Sequence, residues 1–341
     1  MLVYFVFFCY SSFNDYFSGT PTVGTTNTRY SSISDNFYIN EIQFSGLSVS
    51  SHGGAIYCAT ANTKLVVEGS IFYNCHATGT KDGGAIYFSS TSAAIVLNRV
   101  CGYYCTCTGD LYSGQFISTI TGASNPNYAL FLSVSKCADS SASRNNVMKY
   151  QSGSQRMISN NISFNNNVHR GCGFHYASSD VLVKYSTYVS NIITSGCSFQ
   201  MQGSTGTVQY CNYVKCNSPT YGIIHVTGSA NLVVDNSYFY QNSDKLFSPF
   251  SGSLTVQNCY MDLFTYTKLP STYNNYIGAH PTFLNTHFGT FYCSADSKII
   301  IQSPNTTPEL TPSQTTEVVI SKEFTKKKFD MLILMVFPLH Y

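Results

Sequence analysis

The chain has 341 residues, only 10% of them charged, and its 18 Lys and Arg against 16 Asp and Glu leave a net charge of +2. That balance provides no basic field to hold a nucleic-acid backbone and no acidic one to gather cations. With 27 Tyr and no Trp, contact through hydroxyls and aromatic rings is the chemistry that remains.

In chain order, Met1 to Cys9 (MLVYFVFFC) is an apolar run that reads as the hydrophobic part of a signal peptide or as a chain-end strand. Residues 1–39 are therefore assigned to this segment and a cap. Then Gly53-Gly54-Ala55-Ile56-Tyr57 returns as Gly83-Gly84-Ala85-Ile86-Tyr87, thirty positions on. A fixed period of that size signals a solenoid. Weaker copies place a large apolar residue at 56, 86, 116, 148, 174, 199 and 224. Between them run aliphatic units such as Leu65-Val66-Val67 and Leu232-Val233-Val234. A third unit follows, apolar-x-x-Asn or apolar-x-x-Cys, as in Ile71 to Asn74, Phe164 to Asn167, Tyr188 to Asn191 and Phe239 to Asn242.

Each unit is short, rich in β-branched and aromatic residues, and bounded by Gly, Ser, Asn or Asp, as strands are. No window keeps a helical apolar spacing. The expected fold is all-β: a single-stranded right-handed parallel β-helix of about eight rungs, three short strands each, over residues 40–265. Alternate side chains point inward, so the charge-free column at 56 to 224 is the core. Asn at the turns tolerates left-handed backbone and bonds to the next rung, as a ladder. Residues 266–303 lose the period and are read as a cap over the last rung.

The Gly-Gly-Ala-Ile phrase at 53–56 and 83–86, alternating with Phe-x-x-Asn at 164–167 and 239–242, resembles the two-motif repeat of the polymorphic outer membrane proteins of chlamydiae. It is also similar to β-helix surface proteins of protist parasites, within the pectin-lyase-like superfamily. The resemblance implies adhesion or surface display and brings no catalytic residue. The bacterial members end in a membrane β-barrel, and this sequence shows no segment with that pattern of alternating strands.

The residue after each core position should face outward, giving a column of Tyr57, Tyr87, Ile117, Lys149, His175, Gln200 and His225. Tyr57, Tyr87, Lys149, His175, Gln200 and His225 are the candidate contact ridge, with an ordinary solvated strand face as the alternative. Polysaccharide-active β-helices need clustered carboxylates on neighbouring rungs, whereas Glu68, Asp180 and Asp235 fall at strand edges. No catalytic, cofactor or metal residue is assigned. The favoured function is a non-enzymatic surface-displayed or secreted solenoid that contacts a host or neighbouring cell surface or a glycan. The alternative is a polysaccharide-active enzyme of the pectin lyase or polygalacturonase type, or a degenerate form of one.

Thirteen cysteines suit an oxidising compartment. Cys172 and Cys197 occupy equivalent places on adjacent rungs, at disulfide range, although stacked thiols would fill the same space. Asn161 and Asn305 head glycosylation sequons. Ser303 to Thr316 reads as a Ser/Thr/Pro stalk, and residues 304–341 as stalk plus a basic, apolar tail. Met331 to Leu339 is too short to span a bilayer, so weak membrane association is expected of it, with a cell-surface or extracellular location.

Overall fold

Gly53 and Gly83 adopt left-handed φ values of +66° and +70°, and a Cβ on either would strike the carbonyl oxygen three residues ahead, on Ile56 or Ile86. Only glycine fits there. Gly54 and Gly84 answer a different need, since a Cβ would press into the carbonyl of Gly84 or Gln115 on the next coil and into the backbone of His76 or Thr106. The doubled glycine thus turns the chain and lets two backbones close before an isoleucine enters the core.

The computed structural model describes residues 11–109, 113–138, 146–168, 170–176, 179–243, 245–262 and 272–275. They wind as a parallel β-solenoid of about seven turns, without helix except one 3-10 turn at Phe13–Asp15. The first face holds eight parallel strands, from Ile56–Cys58 and Ile86–Ser89 through Gly114–Ile120, Asn146–Gln151, Arg170–Tyr176, Cys197–Gln202 and Gly222–Thr227 to Phe247–Pro249. The second face runs from Thr22–Gly24 to Thr272–Asn275, and the third from Gln43–Ser45 to Tyr238–Tyr240. Ser253–Met261 pairs with strands of both, joining them.

Pairing therefore starts before residue 40 and continues past 265, wider than the expected bounds. Residues 11–17 also serve the solenoid's flank. Phe13 and Phe17 pack on Val66, Ala94 and Val96, which point out of the second face. Beside them the Ser11 hydroxyl donates to Glu68 Oε2 (2.6 Å) and Arg99 Nε to Glu68 Oε1 (2.6 Å). Burial raises the Glu68 pKa, and the bonds from Ser11 and Arg99 oppose that rise.

Left-handed residues mark two corners of every coil. Between the second and third faces they are Glu41, Gly69, Arg99, Phe131, Ser159, Tyr185, Tyr210, Asn236 and Asn258; after the third face they are Gly46, Asn74, Tyr104, Lys136, Phe164, Ser190, Lys215 and Gln241. Left-handed backbone disfavours most of these side chains. What holds most of them is an inter-coil bond of the N–H, for example Arg99 to the Leu130 carbonyl (2.9 Å) and Tyr185 to that of Gln209 (3.1 Å). The corner conformation is thus set by tertiary pairing, and side-chain type is free to vary.

Just after many of these left-handed residues stands a polar side chain, buried at most rungs, and together they form ladders. Past the third face the ladder comprises Cys75, Cys105, Cys137, Asn165, Asn191, Cys216 and Asn242. Side chains on this ladder cap the coil before them: Asn165 Nδ2 donates to the Val134 carbonyl (3.2 Å), Asn191 Nδ2 to Ile162 (2.8 Å) and Cys216 Sγ to Tyr188 (3.4 Å). In return, the Cys137 N–H donates to Asn165 Oδ1 (2.9 Å) and the Cys216 N–H to Asn242 Oδ1 (3.0 Å). A second ladder at the other corner uses Ser70, Asn160, Ser186, Cys211, Ser237 and Cys259 in the same way. The expected Asn ladder exists, but Asn74 and Asn167 are not on it; Cys75 and Asn165 hold those rungs.

Cysteine here substitutes for asparagine as a small donor. Asn165→Ala strands the Cys137 N–H and the Val134 carbonyl, an expected loss of about 1–3 kcal/mol, whereas Asn165→Cys retains the donor and should lose clearly less. Urea unfolding of the two variants beside the parent chain checks the order.

The core column departs from expectation at two rungs. Ile56, Ile86, Ile117 and Met148 stand in register, and Phe199 follows with Gly173 opposite it. Phe116 aligns instead with Ala85, whose N–H donates to its carbonyl (3.0 Å), and its ring fills the space that Gly102 leaves on the third face. Phe174 falls opposite Lys149 and Gln200. Irregularities at Gly114/Ile117, Asn146/Lys149 and Arg170/Gly173 insert the odd residues, and a one-residue slip exchanges inside for outside.

Candidate functional site

With the register corrected, the outward column of the first face reads Tyr57, Tyr87, Ser118, Lys149, Gln200, His225 and Ser248, with the backbone of residue 174 in register between Lys149 and Gln200. Of the predicted ridge, Tyr57, Tyr87, Lys149, Gln200 and His225 share this column. His175 does not. It points into the core opposite Tyr150 and Met201 and is fully buried, as is Ile117. Gln200 and His225 are only 3% and 7% exposed, which narrows the accessible part to the Tyr57–Lys149 end.

There the side chains form one connected group. The Tyr57 and Tyr87 rings stack with centroids 5.7 Å apart and 7° between planes, and His52 lies 4.4 Å from Tyr87. Rings stacked along the solenoid axis hide their faces and present edges and hydroxyls outward. The His52 ring is positioned by its Nδ1, which accepts the Asp82 N–H (3.0 Å), leaving the proton on Nε2. Burial lowers the His52 pKa, opposed by Asp82 and reinforced by Lys81 and Lys149.

Asp82 is saturated. Its Oδ1 accepts the Gly114 N–H (2.6 Å), its Oδ2 accepts the Ser118 hydroxyl (2.8 Å), and Lys149 Nζ stands 3.6 Å from Oδ2. Ser118 is fully buried. A carboxylate so engaged is held in place by three donors, and its orientation is fixed by the structure around it. Arg29 approaches from the first coil: Nε donates to the Gly53 carbonyl (2.9 Å), Nη2 to Ser51 Oγ (2.9 Å) and the His52 carbonyl (2.8 Å), with the guanidinium 5.7 Å from the Tyr57 ring centre.

No family model, curated protein or solved structure matches this chain. The site must therefore be read from its own chemistry. Asp180 is engaged by Arg156 (2.6 Å) and Glu68 by Arg99, so the other acids weighed for catalysis are also committed to ion pairs or, for Asp235, to Asn258 (2.9 Å). Among the described residues no group of three His, Cys, Asp or Glu side chains is placed to hold a metal ion.

The other predicted sites are placed as follows. Asn161 begins a strand of the third face and is 2% exposed, so a glycosyltransferase would reach it only before folding. Asn305, the stalk, the tail and the apolar start at Met1 to Cys9 lie outside the described residues. So does the Cys172 side chain, and with it the proposed pairing to Cys197; the backbone register sets Arg170, not Cys172, opposite Cys197. Sequence reasoning missed His52, Asp82, Ser118 and Arg29 as members of one group. The available signal was Gly114, whose Cβ would strike the Ile117 carbonyl as those of Gly53 and Gly83 strike Ile56 and Ile86, fixing Ser118 after Tyr87 in the column.

Proposed function

We propose that the protein is a non-enzymatic interaction solenoid, displayed at a cell surface or secreted, which contacts a glycan or a neighbouring cell through the first face. The observation that carries this reading is the Tyr57–Tyr87–His52 stack beside a carboxylate, Asp82, whose oxygens are already occupied. Such a surface offers rigid hydroxyls and ring edges for recognition and lacks a free acid–base pair for hydrolysis or elimination. The doubled-glycine phrase and the Phe-x-x-Asn units at 164–167 and 239–242 support kinship with the polymorphic outer membrane protein repeat and its protist counterparts.

The ladder cysteines do not bear on export, although Cys101 is disulfide-bonded. Cys75, Cys105, Cys137, Cys211, Cys216 and Cys259 are buried thiols at ladder positions, and that role is independent of the redox compartment. The test is a glycan and cell-surface array probed with labelled protein. Parent chain should bind a subset of features, and Tyr57→Ala/Tyr87→Ala, with an unchanged melting temperature, should lose at least tenfold in affinity. Binding that ignores this change, or release of reducing or unsaturated ends from pectin or polygalacturonate, refutes the reading.

A further inference from the structure

Three cations, Arg29, Lys81 and Lys149, surround the tyrosine stack, against the one carboxylate of Asp82 among the described residues. Lys149 is spent on that carboxylate. Arg29 is not: its three bonds go to two carbonyls and a hydroxyl, all neutral, and no ion pair forms on it among the described residues. Partial burial works against its charge, with Tyr57 opposing that effect, yet a guanidinium stays protonated in proteins. Its Nη1 donors take no part in these bonds. Lys81, half-buried beside His52, adds a second cation within electrostatic reach of the imidazole.

A half-buried guanidinium held by neutral groups over a tyrosine is a preformed seat for an anion: its geometry is fixed before binding and its charge lacks a counter-ion. We propose that Arg29, with Lys81 in support, is the anion subsite of the first face, receiving a carboxylate or sulfate ester carried on a glycan whose sugars run past Tyr57 and Tyr87. This rests on the reading of that face as a contact surface. The occupant is a glycan because the face repeats once per coil, about 4.8 Å, close to the length of one sugar ring. An extended peptide advances about 3.3 Å per residue and alternates its side chains, so its successive residues do not meet successive coils.

Surface plasmon resonance on three immobilised chains tests it: a sulfated glycosaminoglycan, its desulfated carboxylated counterpart, and a neutral β-linked glucan. Parent protein should bind one or both acidic chains and not the glucan. Arg29→Gln should weaken this at least tenfold and Lys81→Gln about threefold. Because Arg29 also fastens residues 51–53, Arg29→Lys is included: it retains charge but not the fork, and should recover part of the affinity. The melting temperature of each variant is recorded alongside. Preference for the sulfated or the carboxylated chain identifies the group that is seated. Equal binding of acidic and neutral chains, sensitive to Tyr57→Ala/Tyr87→Ala but indifferent to Arg29→Gln and Lys81→Gln, overturns the anion subsite and leaves the contact face standing. Binding to an immobilised acidic polypeptide and to no glycan overturns the choice of occupant, and binding to nothing overturns both.

Discussion

Ile86→Asp should abolish the cooperative fold. Ile86 is fully buried between Ile56 and Ile117, and a carboxylate there has no donor within a column of Ile, Met and Phe. Burying it unpaired costs several kcal/mol, and protonating it only reduces that cost. Total stability is only about 5–15 kcal/mol for a typical protein. In a solenoid each coil is stabilised mainly by its neighbours, so a broken coil also uncouples the two halves. The expected observation is loss of the β signal in circular dichroism, or a melt that splits into two weak transitions. Ser89→Asp, on the same strand but facing outward, should melt close to the parent. Equal tolerance of the two would refute the register.

That register was only partly legible in the residues. The doubled glycines at 53 and 83 identify the coil because backbone geometry leaves them no substitute, and the aliphatic units of the second face are continuous enough to align by eye. Phe116 misleads because a large apolar residue is as well suited to the space beside Gly102 as to the core column, and nothing local distinguishes the two. His175 misleads in the opposite sense: a polar residue after an apolar one reads as outward, yet the interior at this level is polar. Thr119 Oγ1 donates to Asn127 Oδ1 (2.9 Å), and Gln155 Nε2 is fixed by the carbonyls of Tyr150 (3.2 Å) and Ser152 (3.1 Å). The cysteines were ambiguous for a related reason, since thiol, amide and hydroxyl all satisfy a ladder position. Partners distant in the sequence decide each of these cases.

The buried imidazole should make the molecule acid-labile. With the Gln155 amide nitrogen committed to carbonyls, Gln155 Oε1 faces His175 Nδ1 at 2.7 Å and accepts its proton. Nε2 has no hydrogen-bond partner, so a second proton placed there would be buried without an acceptor. It is stacked against Tyr150 (5.6 Å) and tilted on Phe199 (5.0 Å), with no carboxylate contributing to its ionisation. Burial alone lowers its pKa from 6.5 to about 3. The unfolded chain then binds a proton near pH 6.5 that the folded chain refuses until about pH 3. Stability contributed by the neutral ring is complete above 6.5 and falls as pH drops through that window, to a limit of roughly 4–5 kcal/mol. His52 and His76 shift the same way through partial burial and add to the slope. Glu68, whose pKa burial raises, works against it, gaining stability as pH falls. Between pH 7 and 4.5 urea unfolding should show a loss of about 3 kcal/mol from His175. His175→Phe keeps the ring stack but leaves Gln155 Oε1 without its donor, so it should be less stable at pH 7 and markedly flatter toward pH 4.5. A variant with the parent's full slope would place the acid sensitivity elsewhere.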